Sequence, residues 1–316
     1  MLQISNRRVF LKTAAASCTT AHFLITRMNA NPLGLPIGLQ LYTVGKEMDA
    51  DPAGTLKQVA AIGYKDVEVS PMSKISTKDL RHLLDEFGLK SPSGHYMLPD
   101  LLANLQQKID QAKELGQQYM VVTVPWVADP SRVKADPKDG EMGFFLALVH
   151  SLTLDDWKWN AEQFNKVGEL VKTAGLHLAY HNHNFEFTPL ANTTGYDEFL
   201  RLTDPNLVSL EMDCGWVTVA GKDPLAYLAK YPQRYHLLHI KDFRKGFTPT
   251  TTLMAKQGAP VPTELGRGAI DYAPIFAAAK HAGIRAFFVE QEPPFTEIPA
   301  LEAIKVDYDY LKNLRA

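Results

Sequence analysis

The chain has 316 residues, 46% of them apolar and 22% charged, with a formal net charge of −2. That is enough apolar chain to bury one large core as a single barrel-sized domain. The balanced charge, with no long run of Lys or Arg, speaks against nucleic acid or a membrane surface as partner and for a small, weakly charged ligand.

The first thirty residues stand apart. In Asn6-Arg7-Arg8-Val9-Phe10-Leu11-Lys12 two adjacent arginines precede a modest apolar stretch, Thr13 to Ile25, too short and too polar to span a bilayer. The pattern reads as a twin-arginine export signal ending near Ala30, which divides the chain into a signal peptide at 1–30 and a barrel at 31–316. It predicts a periplasmic or otherwise exported protein with no stable membrane insertion after processing. Lipoprotein anchoring through Cys18 fits less well, because Ala15-Ala16-Ser17 only loosely resembles a lipidation site. Removal of the signal leaves Cys214 as the only cysteine, so no internal disulfide can form.

From Leu35 onward, short β-rich runs alternate with helical patterns. Strands are predicted at Ile37–Tyr42, Asp66–Val69, Lys90–His95, Tyr119–Val124, Leu176–His181, Val208–Asp213, Leu237–Ile240 and Ala286–Glu290. Helices are predicted between them at Asp51–Ala61, Thr77–Phe87, Asp100–Leu115, Leu154–Ala174, Asp197–Leu202, Pro224–Lys230 and Tyr272–Ala282, several ending in a glycine such as Gly88, Gly116 or Gly283. Repeated βα units with short returns predict a single (β/α)8 TIM barrel, and no glycine-rich phosphate loop follows the first strand to suggest a dinucleotide fold. Val127 to Thr153 and Phe243 to Arg267 break the repeat. As long loops after strands they read as lids, substrate walls or the contacts of a homo-oligomer.

Four strand candidates close on a residue that can hold a divalent cation: His181, Asp213, His239 and Glu290. One such residue per βα unit, at the strand C-termini, is the pattern of a barrel enzyme's metal site. The imidazole and carboxylate mixture suits Mn, Zn, Fe, Co or Mg better than Ca.

These segments resemble the xylose isomerase-like barrel family, which includes sugar phosphate isomerases/epimerases and the inosose dehydratase group. The resemblance runs through Ile37-Gly38-Leu39-Gln40-Leu41-Tyr42, Gly63-Tyr64-Lys65-Asp66-Val67-Glu68, Ser93-Gly94-His95, Tyr180-His181-Asn182-His183 with Phe185-Glu186-Phe187, and Asp213 with Gly215-Trp216. It continues through His239-Ile240-Lys241-Asp242, Gly266-Arg267-Gly268 with Ile270-Asp271, and Val289-Glu290-Gln291. It implies a metal held by a glutamate, an aspartate, a histidine and a glutamate on the fifth to eighth strands. Asp213, His239 and Glu290 match three of these, while His181 stands where the first glutamate belongs and Glu186 follows five residues later.

The chemistry expected of such a set is α-proton abstraction. A cation on the carbonyl and neighbouring hydroxyl of a sugar acidifies the carbon between them, and a carboxylate such as Glu290 or Glu186 takes the proton. Lys241 would place positive charge near the developing oxyanion. His95, His183, Gln40 and Arg267 would bind substrate hydroxyls, and Trp216 would form a stacking wall. The leading expectation is a metal-dependent isomerase or epimerase of an unphosphorylated sugar or keto-sugar. A keto-sugar or 3-keto-glycoside lyase follows, since it begins with the same step. A non-catalytic sugar-binding barrel and a metal-dependent endonuclease are disfavoured by the intact ligand pattern and the missing basic surface respectively.

Overall fold

A computed structural model describes residues 31–71, 75–136, 138, 140–253 and 259–316. The expected export signal lies outside these residues. Barrel strands run at Gly38–Gln40 (β1), Asp66–Val69 (β2), Lys90–Tyr96 (β3), Tyr119–Val122 (β4), His177–His181 (β5), Val208–Asp213 (β6), Tyr235–Ile240 (β7) and Ala286–Val289 (β8). Each pairs in parallel with its neighbours in sequence, and β1 pairs with β8, so the sheet closes on itself as the predicted barrel.

Burial on both faces explains why these strands read as apolar runs: β2, β4, β6 and β8 have no exposed residue. Helix starts are set by local caps. Ser76 accepts from Asp79 N ahead of Thr77–Phe87, and Thr153 with Asp156 forms a reciprocal capping box ahead of Leu154–Thr173. Helix ends at Gly88 and Gly116 take φ of 68° and 77°, the left-handed turn that returns the chain to the barrel.

Short helices at Gly45–Ala50 and Cys214–Val219 were not among those expected, and three larger departures bear on the site. Leu41–Val44 is a 3-10 turn rather than the end of β1. The segment expected as an irregular loop, Val127 to Thr153, contains a helix at Gly140–Ser151, whose apolar residues lie nearly all round and so give no amphipathic period. A C-terminal helix, Ala300–Asn313, was not among those expected; it buries Ala300, Ala303, Ile304, Asp307 and Leu311 at helical spacing.

Inside the barrel the deeper inward positions are apolar, a cluster of Tyr119, Val121, Ala179, Leu237, Ala286 and Phe288. Two residues further along three of these strands the inward positions become His181, His239 and Glu290, because alternate residues share a face. The shallower inward positions are therefore polar, and they lie at the strand C-termini.

Candidate metal centre

All four predicted ligands meet. His181, Asp213, His239 and Glu290 are buried, and each offers a ligand atom within 4.8 Å of those of the others. His181 Nε2 lies 4.0 Å from Asp213 Oδ2, and His239 Nδ1 lies 3.1 Å from Glu290 Oε2. Asp213 Oδ2 is buried and accepts no hydrogen bond, although the Lys241 ammonium stands 3.2 Å away. Lys241 also reaches Glu290 Oε2 at 2.8 Å and Glu292 Oε1 at 2.5 Å.

Two further carboxylates, missed as site residues from sequence, underlie this set. Glu211 Oε2 accepts from His181 Nδ1 at 3.0 Å and faces His95 Nε2 at 3.2 Å and His239 Nε2 at 3.3 Å. Glu68 Oε2 accepts from His239 Nε2 at 2.6 Å, His95 Nε2 at 2.8 Å and Gln40 Nε2 at 2.8 Å, while Ser93 Oγ donates to its other oxygen. Their signal was present: Asp66-Val67-Glu68-Val69 and Leu210-Glu211-Met212-Asp213 put a carboxylate inside an otherwise apolar buried strand.

Burial opposes ionisation of Glu68, Glu211, Asp213 and Glu290, and the partners decide each case. His95 and His239 hold Glu68 well below the usual carboxylate range, and Lys241 and His239 do the same for Glu290. Burial and the Glu68 charge push Glu211 up to about 7, and burial keeps Asp213 raised against Lys241 and His239. His95, despite its burial, is lifted to about 9 by Glu68 and Glu211, and Glu211, Glu68 and Glu290 raise His239. His181 goes the other way, driven down by burial and by His239, so it is a neutral nitrogen donor.

The residues fit a divalent cation. Four buried carboxylates converge with His95, His181 and His239, and Asp213 Oδ2 is left buried without a hydrogen bond, an orphaned acceptor that a cation would satisfy. Two imidazoles and two carboxylates are a donor set for Zn, Mn or Fe(II), and the carboxylates accept Mg. Glu211 behind His181, and Glu68 behind His239, take the imidazole N–H groups as orienting carboxylates do in metal sites.

The remaining predicted residues fall into two groups. His95, His183 and Gln40 are at the barrel mouth. His95 lines a cavity of about 590 Å³ shared with Ser70, Tyr96 and Met97, and His183 stacks on Phe185 and leaves Nδ1 without a hydrogen bond. Gln40 is fully buried, its amide spent on Glu68, Tyr42 N and Ser70 Oγ, so its hydrogen-bonding capacity goes to the protein rather than outward. Trp216 carries Lys241 5.0 Å from its ring centre and donates Nε1–H to Glu292, which makes it a support for the lysine. Glu186 does not join the cluster: its Oε1 accepts from Tyr180 OH and His183 N, both at 2.9 Å, and its Oε2 is buried without a hydrogen bond.

Arg267 is half-exposed and paired with Glu264 at 3.0 Å. The glycines around it serve the backbone. Asp242 accepts from Gly268 N, Ala269 N and Ile270 N, and a side chain at Gly268 would collide with that carboxylate.

The chain belongs to the xylose isomerase-like TIM barrel family, whose model matches residues 56–314. It is 32% identical over 253 residues to an inosose dehydratase of Geobacillus thermodenitrificans, covering 75% of this chain and 82% of the relative. Among solved structures, a sugar phosphate isomerase/epimerase from Parabacteroides distasonis superposes with a TM-score of 0.68 at 26% identity, covering 88% of this chain and 94% of the other. Two more distant barrels hold metals. The IOLI protein has a bound zinc atom (TM-score 0.64, 15% identity, 88% and 98% covered). A xylose isomerase-like TIM barrel protein from Mycobacterium smegmatis is in complex with magnesium (TM-score 0.63, 17% identity, 89% and 97% covered).

Proposed function

We propose that the protein is a divalent-metal-dependent enzyme that removes the α-proton of an unphosphorylated keto-sugar or cyclitol ketone and then eliminates water. The observation that carries this reading is the convergence of His181, Asp213, His239 and Glu290 at the strand C-termini, with His95 lining the adjoining cavity. A bound cation would polarise the ketone and its neighbouring hydroxyl and so acidify the C–H between them. Glu290 is the base: of the four buried carboxylates Glu68, Glu211, Asp213 and Glu290 it alone retains exposed surface, 7%. It takes the proton, and the electron pair moves to the carbonyl oxygen. When the pair returns it expels the β-hydroxyl, which leaves as water with a proton from His95.

Elimination is favoured over epimerisation because epimerisation needs a base on each face of the carbon. Histidine replaces the fifth-strand glutamate, Glu186 Oε1 is held by Tyr180 and His183, and Glu68 and Glu211, unlike Glu290, retain no exposed surface. The likeness to an inosose dehydratase supports the same choice, whereas the Parabacteroides neighbour's description supports an isomerase or epimerase that shares the first step. Absence of phosphate in the substrate fits a cavity in which Lys108, near Asp100, is the only Lys or Arg among the lining residues.

The test is incubation of the metal-loaded protein with unphosphorylated keto-sugars and cyclitol ketones in D₂O, followed by NMR. Deuterium uptake beside the ketone and a dehydrated product are expected. A rearranged sugar with no loss of water selects the isomerase reading, and neither exchange nor product across the panel sinks both. We also propose that residues 1–30 export the protein, on the strength of the Arg7-Arg8 pair.

A further inference from the structure

A second cavity, of about 720 Å³, shares Met97 with the cavity that His95 lines and differs from the metal centre in chemistry. The helix Gly140–Ser151 supplies one wall, with Gly140, Phe144 and Leu148 on one face at i, i+4 and i+8 and Phe145 beside them. Met97, Val124 and Trp126, from the ends of β3 and β4, supply the other. Among the described residues the lining side chains carry no charge, amide or hydroxyl, and the Trp126 indole is their one polar N–H group. Most of a sugar's hydroxyls would lose their hydrogen bonds to water there without replacement, which disfavours a second sugar site. Its size is that of a small-ligand site and its walls suit an aromatic ring.

Two features join it to the surroundings of His95 and His181. Met97 lines both this cavity and the one that contains His95. A relay of ring contacts also leads inward: Phe145 meets Phe185 at 6.4 Å, Phe185 stacks on His183 at 5.6 Å, and His183 meets His181 at 5.0 Å. Two rings, Phe185 and His183, therefore lie between the cavity wall at Phe145 and the metal-ligand candidate His181. Phe144 packs against Trp126 at 5.8 Å yet stays 36% exposed, which leaves an apolar surface facing the opening.

We infer that this cavity is a subsite for an apolar, aryl aglycone, so that the substrate is a glycoside whose keto-sugar end lies at the metal centre while its aromatic end lies against Phe144 and Trp126. The inference rests on the keto-sugar reading of the centre and adds the class of the other end of the molecule.

Phenyl β-glucoside and methyl β-glucoside test it, because without a ketone neither has an acidified C–H and binding is read without turnover. Titration calorimetry on the metal-loaded protein is expected to show phenyl binding at least about ten-fold tighter than methyl. Phe144→Ala, at a partly exposed position, and Trp126→Ala, checked by melting curves, should each narrow that gap by about ten-fold. Equal affinities in the unmodified protein, no binding of the phenyl glucoside, or an undiminished gap in a folded Phe144→Ala overturns the subsite. A dimer that dissociates in Phe144→Ala, with no preference for phenyl, assigns the cavity to contact between copies and also overturns it. Deuterium exchange with keto-sugars is read separately: if it is absent while the phenyl preference holds, the proposed reaction fails and the aryl subsite stands.

Discussion

Glu211 Oε2 accepts a hydrogen bond from His181 Nδ1 at 3.0 Å, on the side of the ring away from the Nε2 that faces Asp213. Glu211 and Asp213 are two residues apart on β6 and so point to the same face, one behind the imidazole and one in front of it. The deeper carboxylate thereby fixes the tautomer and the tilt of the shallower ligand.

This predicts separable effects on metal affinity. Asp213→Ala and His239→Ala should each abolish the uptake of one ion per chain, whereas Glu211→Gln should keep the stoichiometry and weaken affinity by about 10–100-fold. Competition with a chromophoric chelator measures both. Unchanged occupancy in Asp213→Ala and His239→Ala would remove the metal centre, and an unchanged dissociation constant in Glu211→Gln would remove its orienting role. Stripping the ion should also lower the melting temperature, since a cation held only by the folded state stabilises it by about 2.7 kcal/mol at a hundred times its dissociation constant.

His181 and Glu186 divide along the same geometry. His181 is within the cluster and driven toward its neutral form by burial, while Glu186 is held by Tyr180 OH and His183 N. His181→Ala is expected to lose metal retention. Glu186→Gln should retain the ion and lose less than about ten-fold in α-proton exchange, well short of the ~10²-fold of a deleted general base. Metal content and exchange rate in the two variants check this, and the opposite pattern would make Glu186 the base.

The strands and the cluster of His181, Asp213, His239 and Glu290 were legible because a parallel barrel strand is buried on both faces and reads as an apolar run, so the polar residue that ends it stands out. Glu68 and Glu211 were legible in principle by the same logic, as charges inside apolar runs, but strand-end position drew the choice elsewhere. The role of the loop around Arg267 was harder to read. Gly266-Arg267-Gly268 looks like a ligand loop, yet its glycine at 268 makes room for Asp242 to gather backbone N–H groups, a contact that no periodicity announces. The apolar cavity was hidden because Gly140–Ser151 is apolar on nearly every side and follows a charged, proline-containing stretch, which reads as loop.

For export, the Arg7→Lys, Arg8→Lys double variant should leave the protein in the cytoplasm of a host with an active twin-arginine pathway, while the unaltered chain is recovered outside it. Cell fractionation decides between them. Equal export of both would assign translocation to another signal.

A last prediction concerns stability and lies away from the metal centre. Asp307, on the C-terminal helix, is 1% exposed and accepts from Leu265 N at 2.7 Å. Burial, together with the charges of Glu264 and Asp242, pushes its carboxyl up to about 8, against the pull of its hydrogen bond from Leu265 N and of Arg267. In the unfolded chain the same group titrates near 3.9. Between roughly pH 4 and 8 the folded state thus holds a proton that the unfolded state has released, and stability from this group falls as pH rises through that window, levelling above it. Asp307→Asn keeps an oxygen for Leu265 N and removes the titration. Its melting temperature should therefore exceed that of the unaltered protein at pH 8 and converge with it near pH 4. Parallel melting-temperature curves from pH 4 to 9 would show that Asp307 ionises in the folded protein without penalty.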